Sequence, residues 1–180
     1  MIANHGSDMK NLSAQPRLFY ALWPGPATRG ALAALQAAVG GTPSRSDKLH
    51  LTMAFLGQRE ADELPMLKTI LATLPARAMT LVFDHYRQFP KAELSWAALR
   101  HVPPELLELR AQLMAALAAA GLAPAFEHDR FTPHVTLARQ AGPPPAQPFV
   151  PVSWHATQLV LVESVKSSGD YHLLASRELA

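Results

Sequence analysis

Two short segments of this 180-residue chain carry side chains suited to chemistry. They are His50-Leu-Thr-Met53 and His134-Val-Thr-Leu137, each reading His, apolar, Thr, apolar. Successive side chains of a β-strand point to opposite faces, so a strand through either segment places its His and Thr on one face and its apolar pair on the other. Two such strands brought together make a cleft with two imidazoles and two hydroxyls. That set suits the opening of a cyclic phosphodiester. A neutral imidazole takes a proton from the attacking water, and a protonated one gives a proton to the departing ribose oxygen. An unperturbed pKa of about 6.5 lets either form exist near neutrality. The Thr hydroxyls can donate hydrogen bonds to the non-bridging phosphate oxygens as charge gathers there. With eight His and nine Thr in the chain, about 0.4 His-x-Thr triplets are expected by chance, and roughly 0.1 with both apolar positions filled. One copy of the pattern is weak evidence; two copies make a strong signal.

Other residues near the second motif are candidates for holding substrate. Arg130 and Arg139 can bind phosphates or simply solvate the surface. Phe131 can stack on a nucleobase or fill the core. Trp23 and Trp96 read as core. His5, His85, His101, His128, His155 and His172 lack the motif and read as bystanders. No i, i+4 histidine pair or adjacent carboxylate set accompanies either motif, and His-x-Thr offers one ligand per strand. The scheme therefore calls for no metal and no cofactor.

The elements that must position these residues can be read from periodicity and turn signals. Arg17 to Trp23 and Leu49 to Leu56 read as strands, the first stopped by Pro24-Gly-Pro26 and the second by Gly57. Ala27 to Val39 and Glu60 to Leu74 read as helices, with Leu32, Leu35 and Val39 on one face of the first and Leu64, Leu67 and Leu71 inward on the second. Met79 to Tyr86 and Glu93 to Leu99 are two further strands. Pro103-Pro104 opens the clearest helix, because a first-turn proline removes an N–H that has no partner anyway. Leu106, Leu109, Leu113 and Leu117 keep helical spacing, and Gly121 ends it. A strand is expected over Phe131 to Ala138, then a Pro-rich loop from 142 to 151, then strands over Gln158 to Ser164 and Tyr171 to Ser176. Strands and helices alternate without a regular βαβ rhythm, which predicts an α+β fold.

Composition bounds the rest. Hydrophobic residues make up 49% and charged residues 17%, which suits one compact domain rather than a disordered chain. Residues 1–16 are polar and read as a disordered tail, leaving 17–180 as a single domain. Basic residues exceed acidic ones by only two, 16 against 14; this suits an anionic ligand but is far from the footprint of a duplex-binding protein. With no cysteine, disulfides and thiolate chemistry are excluded. No apolar run approaches the roughly 18 residues that span a bilayer, and the first residues lack a signal peptide's apolar stretch. A cytoplasmic monomer without membrane partners is the expectation.

The flanks of the two motifs carry a family resemblance. Arg17-Leu-Phe-Tyr-Ala-Leu, Lys48-Leu-His-Leu-Thr-Met-Ala-Phe-Leu-Gly57 and Arg130-Phe-Thr-Pro-His-Val-Thr-Leu-Ala-Arg139 resemble the two-histidine (2H) phosphoesterase superfamily. Within it they are similar to the RNA 2′,3′-cyclic phosphodiesterases, once described as 2′-5′ RNA ligases. The resemblance implies a bilobal α+β fold, with two antiparallel sheets and flanking helices around a central cleft, each sheet carrying one motif. It also implies RNA ends or cyclic nucleotides as substrates, with His50 as proton donor and His134 as proton acceptor. A phosphodiesterase of small cyclic phosphates or 2′-5′-linked oligonucleotides, and a non-catalytic nucleotide-binding module, are the competing readings.

Overall fold

The computed structural model describes residues 14–124 and 130–180. Ten strands and three α-helices appear among them, and every strand pairing is antiparallel. The first sheet is assembled from β1 (Arg17–Leu22), β3 (Leu51–Gln58), β9 (Gln158–Ser164) and β10 (Tyr171–Glu178), in the order β10-β9-β1-β3. The second contains β2 (Thr42–Pro43), β5 (His85–Phe89), β6 (Leu94–Ala98) and β7 (His134–Arg139), in the order β2-β7-β6-β5. A third sheet of two strands, β4 (Met79–Phe83) and β8 (Val152–Ala156), joins them. The α+β class and the pair of antiparallel sheets agree with the expectation; the small third sheet adds to it.

The first sheet is covered on both faces, which explains why its central strands are apolar almost throughout. Leu18, Tyr20 and Leu22 of β1, with Leu159 and Leu161 of β9, face the helical layer and belong to the main core. That layer comes from α2 (Leu64–Thr73), packed on β9 and β10, and α3 (Pro104–Ala119), packed on β3 and α2. Its buried face is Leu64, Leu67, Ile70 and Leu71 with Leu106, Leu109, Leu113 and Leu117, at the spacing an amphipathic helix requires. The buried Tyr20 hydroxyl donates to the Leu67 carbonyl at 2.7 Å and ties sheet to helix. On the opposite face, Phe19, Ala21, Trp23, Val160 and Val162 form a smaller cluster with Phe55 and Tyr171. The helix α1 (Pro26–Ala34) continues as a 3₁₀ turn over Leu35–Ala38 that packs on β7. There the Gln36 side chain donates to the carbonyls of Ser44 and Leu137, at 2.7 and 2.8 Å.

Several boundaries differ from the sequence-based expectations, each for a local reason. The strand expected over Met79 to Tyr86 is two strands in different sheets, divided at Asp84. The Asp84 carboxylate accepts from His85 Nδ1 at 2.6 Å and from the Arg100 backbone at 3.2 Å, which holds the bend. Gly57 does not end its strand. It lies inside β3 with φ +71°, where the pairing of β1 with β3 slips between Leu18 and Phe19, a bulge that favours glycine. The second motif strand begins only at His134, after Pro133, which has no N–H to offer a ladder. Strand β8 was not foreseen; its alternating Val-Ser-Trp-His-Ala was masked by the preceding prolines. Of the expected tail, residues 1–13 lie outside the described residues, as does His128. Pro16 is already buried, and its carbonyl accepts from the Arg59 N–H at 2.9 Å.

Candidate active site

The two motifs meet. Strands β3 and β7 approach each other, and a cavity of about 630 Å³ between the sheets is lined by His50, Thr52, His134 and Thr136 together. Alternation does the local work. Leu51 and Met53 are fully buried while His50 and Thr52 are half-buried, and Val135 and Leu137 are buried while His134 and Thr136 are half-buried.

Each imidazole is oriented by the same backbone device. His50 Nδ1–H donates to the Lys48 carbonyl at 2.6 Å, and His134 Nδ1–H donates to the Thr132 carbonyl at 2.8 Å. Both acceptors stand two residues before the histidine. Holding the proton on Nδ1 leaves both Nε2 atoms to exchange a proton in the cleft. Nε2 of His50 lies 2.9 Å from the Thr52 hydroxyl.

Aromatic rings fix the imidazoles from the other side. His50 stacks on Phe19 and Trp23, at centroid distances of 4.9 and 5.6 Å, and meets the edge of Tyr171 at 5.5 Å. His134 packs against Phe89 at 5.2 Å and Trp96 at 5.3 Å. Burial among these rings disfavours the charged form. The His50 pKa is pushed down to about 4, mainly by burial, against the bond to Lys48 and with help from Arg139 and from His134 when that ring is protonated. His134 is also lowered by burial, opposed by its bond to Thr132.

The other candidates separate. Arg139 lines the cavity. Arg130 is exposed and does not; its carbonyl accepts from Thr132 at 3.4 Å. Phe131 lies under the Arg110 guanidinium, 5.1 Å from its ring centroid, and packs on the main core. Trp23 and Trp96 are buried, as expected, but each also backs a histidine. The lining residues that the sequence did not assign to the site include Arg17, Arg45, Lys48 and Tyr171. Lys48 at least had a signal, standing two residues before His50; Tyr171 opens a strand far away in sequence. Among the described residues, no group of three or more His, Cys, Asp or Glu side chains could hold a metal ion.

If both hydroxyls hold phosphate oxygens, removing one costs a charge-assisted hydrogen bond but leaves both proton transfers in place. Thr52→Ala and Thr136→Ala are each expected to lower turnover of a cyclic phosphate roughly 10- to 100-fold. A loss below twofold in both variants, measured in steady-state assays, would remove the hydroxyls from the site.

Comparison with known proteins places this geometry in a recognised group. Residues 24–166 match the family model of the 2′-5′ RNA ligase superfamily. Over 111 residues the chain is 33% identical to the RNA 2′,3′-cyclic phosphodiesterase of Escherichia coli (strain K12), a match covering 58% of this chain and 61% of that relative. The apo crystal structure of E. coli LigT superposes with a TM-score of 0.78 at 27% identity, over 93% of this chain and 99% of LigT. TT0787 of Thermus thermophilus superposes with a TM-score of 0.76 at 28% identity, over 91% of this chain and 97% of that one.

Proposed function

Since the chain belongs to the 2′-5′ RNA ligase superfamily, we propose that it hydrolyses the 2′,3′-cyclic phosphate at an RNA end to a 2′-phosphomonoester, without a metal. The observation that carries this reading is the matched pair of imidazoles. Each donates Nδ1–H to a carbonyl two residues upstream, and both line one cavity with a threonine beside each. In the forward step a water oxygen attacks phosphorus and its proton passes to Nε2 of neutral His134. The P–O3′ bond breaks, and O3′ takes the proton that protonated His50 carries on Nε2. Thr52 and Thr136 donate to the non-bridging oxygens, and Arg139 adds positive charge at the same end of the cavity. A proton then moves from His134 to solvent and another from solvent to His50, which resets the pair.

The test is product identification. Adenosine 2′,3′-cyclic phosphate is incubated with the protein and a chelator, and the product is separated by chromatography. Adenosine 2′-phosphate is expected as the predominant isomer. Predominant 3′-phosphate would reverse the assigned orientation of donor and acceptor, and absence of turnover would sink the reaction itself.

The depressed histidines make a definite pH dependence follow. The free enzyme is competent only when His134 is neutral and His50 is protonated. As pH falls, His134 gains a proton and the base is lost; as pH rises past about 4, His50 loses its proton and the acid is lost. The profile of kcat/KM is therefore expected to be a bell whose maximum lies below pH 6.5. The decline on its alkaline side should approach tenfold per pH unit. A bound phosphate anion favours the imidazolium form of His50, so the alkaline limb of kcat should lie at higher pH than that of kcat/KM. A kcat/KM that stays flat from pH 5 to 9 would be incompatible with paired imidazoles.

A further inference from the structure

The cavity does not end at the reacting histidines, and strand register measures how far it continues. On the cleft face of β1, Ala21 pairs with Thr52 and Phe19 pairs with Phe55. The next side chain on that face is Arg17, paired on its other side with Ser164 of β9. Arg17 is thus four residues along β1 from the Thr52 row, about 13 Å at a strand rise of 3.2–3.4 Å per residue. Its guanidinium folds back over the Phe55 ring, 5.5 Å from the centroid, which moves the charge towards the histidines. Arg17, Phe55 and Ser164 all line the same cavity as His50 and Thr52.

The cations of the cavity are not equally available. Arg45 pairs with Asp47 at 2.6 Å and Asp170 at 3.0 Å. Lys48 donates to the Gly169 carbonyl and lies over the Tyr171 ring. Arg139 stands near enough to His50 to depress it, at the reacting end. Among the described residues no carboxylate pairs with Arg17. A guanidinium with no carboxylate partner among the described residues, beside a hydroxyl and on a groove leading from a phosphate site, suits a second phosphate. An RNA chain ending in a 2′,3′-cyclic phosphate has a neighbouring phosphate on one side only, the 5′ side.

We propose that Arg17, with the Ser164 hydroxyl beside it, binds the phosphodiester immediately 5′ of the reacting nucleotide, so that the site favours an RNA end over a free cyclic mononucleotide. This subsite rests on the reaction proposed above, and its test separates the two. Calorimetry compares adenosine 2′-monophosphate with adenosine 2′,5′-bisphosphate, which differ only by the phosphate in question. The wild-type protein is expected to bind the bisphosphate about tenfold more tightly or better, with a ratio that shrinks as salt rises. Arg17→Gln should bring the ratio close to one. If that variant does not fold, Arg17→Lys decides, because losing the planar fork should lower the ratio. A wild-type ratio near one, or a ratio untouched by substitution of Arg17, would overturn the subsite. A ratio that behaves as expected in a protein that turns over neither adenosine 2′,3′-cyclic phosphate nor a dinucleotide with a cyclic end would overturn the reaction and leave the subsite standing.

Discussion

His50→Ala and His134→Ala are each expected to lower turnover of a cyclic phosphate at least a hundredfold, in the roughly 10²–10⁴ range attributed to general acid or base catalysis. The size of the effect follows from the two protons moving in one phosphoryl transfer. Without His134 the water must lose its proton to solvent, and without His50 the ribose oxygen must leave as an alkoxide. The double variant should fall little below the worse single one, because each group is useful only while the other acts. Truncating either imidazole also opens space. His50 sits among Phe19, Trp23 and Tyr171, and His134 against Phe89 and Trp96. Circular dichroism and a melting curve must therefore accompany the kinetics, and His50→Gln and His134→Gln, which refill much of the volume, provide the folded comparison. Near wild-type rates in either folded variant would falsify the two-histidine mechanism.

The second large effect is on stability and comes from a residue with no side chain. Gly41 has φ +85°, and a Cβ built there would lie 2.3 Å from the Arg139 carbonyl oxygen and 2.8 Å from both N and Cα of Ala141. Those neighbours are backbone, so they cannot swing aside. Gly41 immediately precedes β2, whose Thr42 and Pro43 pair with Arg139 and Ala138 at the end of the second motif strand. Gly41→Ala must therefore either adopt a strained left-handed backbone against a clash or peel β2 from β7. A cost of at least about 2 kcal/mol is expected. In a protein of this size that lowers Tm by about 4–8 °C. Activity should drop as well, since the disturbed pairing belongs to the strand that carries His134 and Thr136. Gly30→Ala is the control. It lies in α1 with nothing within 4 Å of the added Cβ and should raise Tm slightly, as alanine replaces glycine in a helix. Equal melting of Gly41→Ala and wild type would show that the close approach of these two loops does not exist in solution.

How much of this protein was legible before folding depends on the range of the interaction involved. The strand and helix pattern came through wherever local signals and burial agree. Leu106, Leu109, Leu113 and Leu117 mark one face of α3 because a 3.6-residue period is a property of the chain alone, and all four are buried. The two His-x-Thr segments were legible for the same reason. A period of two puts His and Thr on one face whatever the strand later packs against, and Leu51, Met53, Val135 and Leu137 are buried beneath them. Elements failed where a neighbour in space overruled the local signal. Asp84 divides one apolar stretch between two sheets through its bonds to His85 and Arg100. Gly57 is a bulge because β1 slips against β3, not because the strand ends there.

The site divides in the same way. Sequence alone singled out the two imidazoles proposed to move protons, since that chemistry resides in residue types and their spacing. Tertiary structure alone decided which of the surrounding residues reach them. Arg130, Phe131 and Arg139 flank the same motif, but only Arg139 enters the cavity. Arg17, Lys48 and Tyr171 converge on it from β1, the turn before β3, and β10. The downward shift of both histidines is likewise a tertiary property, because it arises from burial under rings on other strands and from His134 and Arg139 facing His50 across the cleft. Proton-transfer groups are legible in a sequence because each is one residue, whereas a desolvating pile of rings or a phosphate subsite is a set of distances that no single stretch of chain contains.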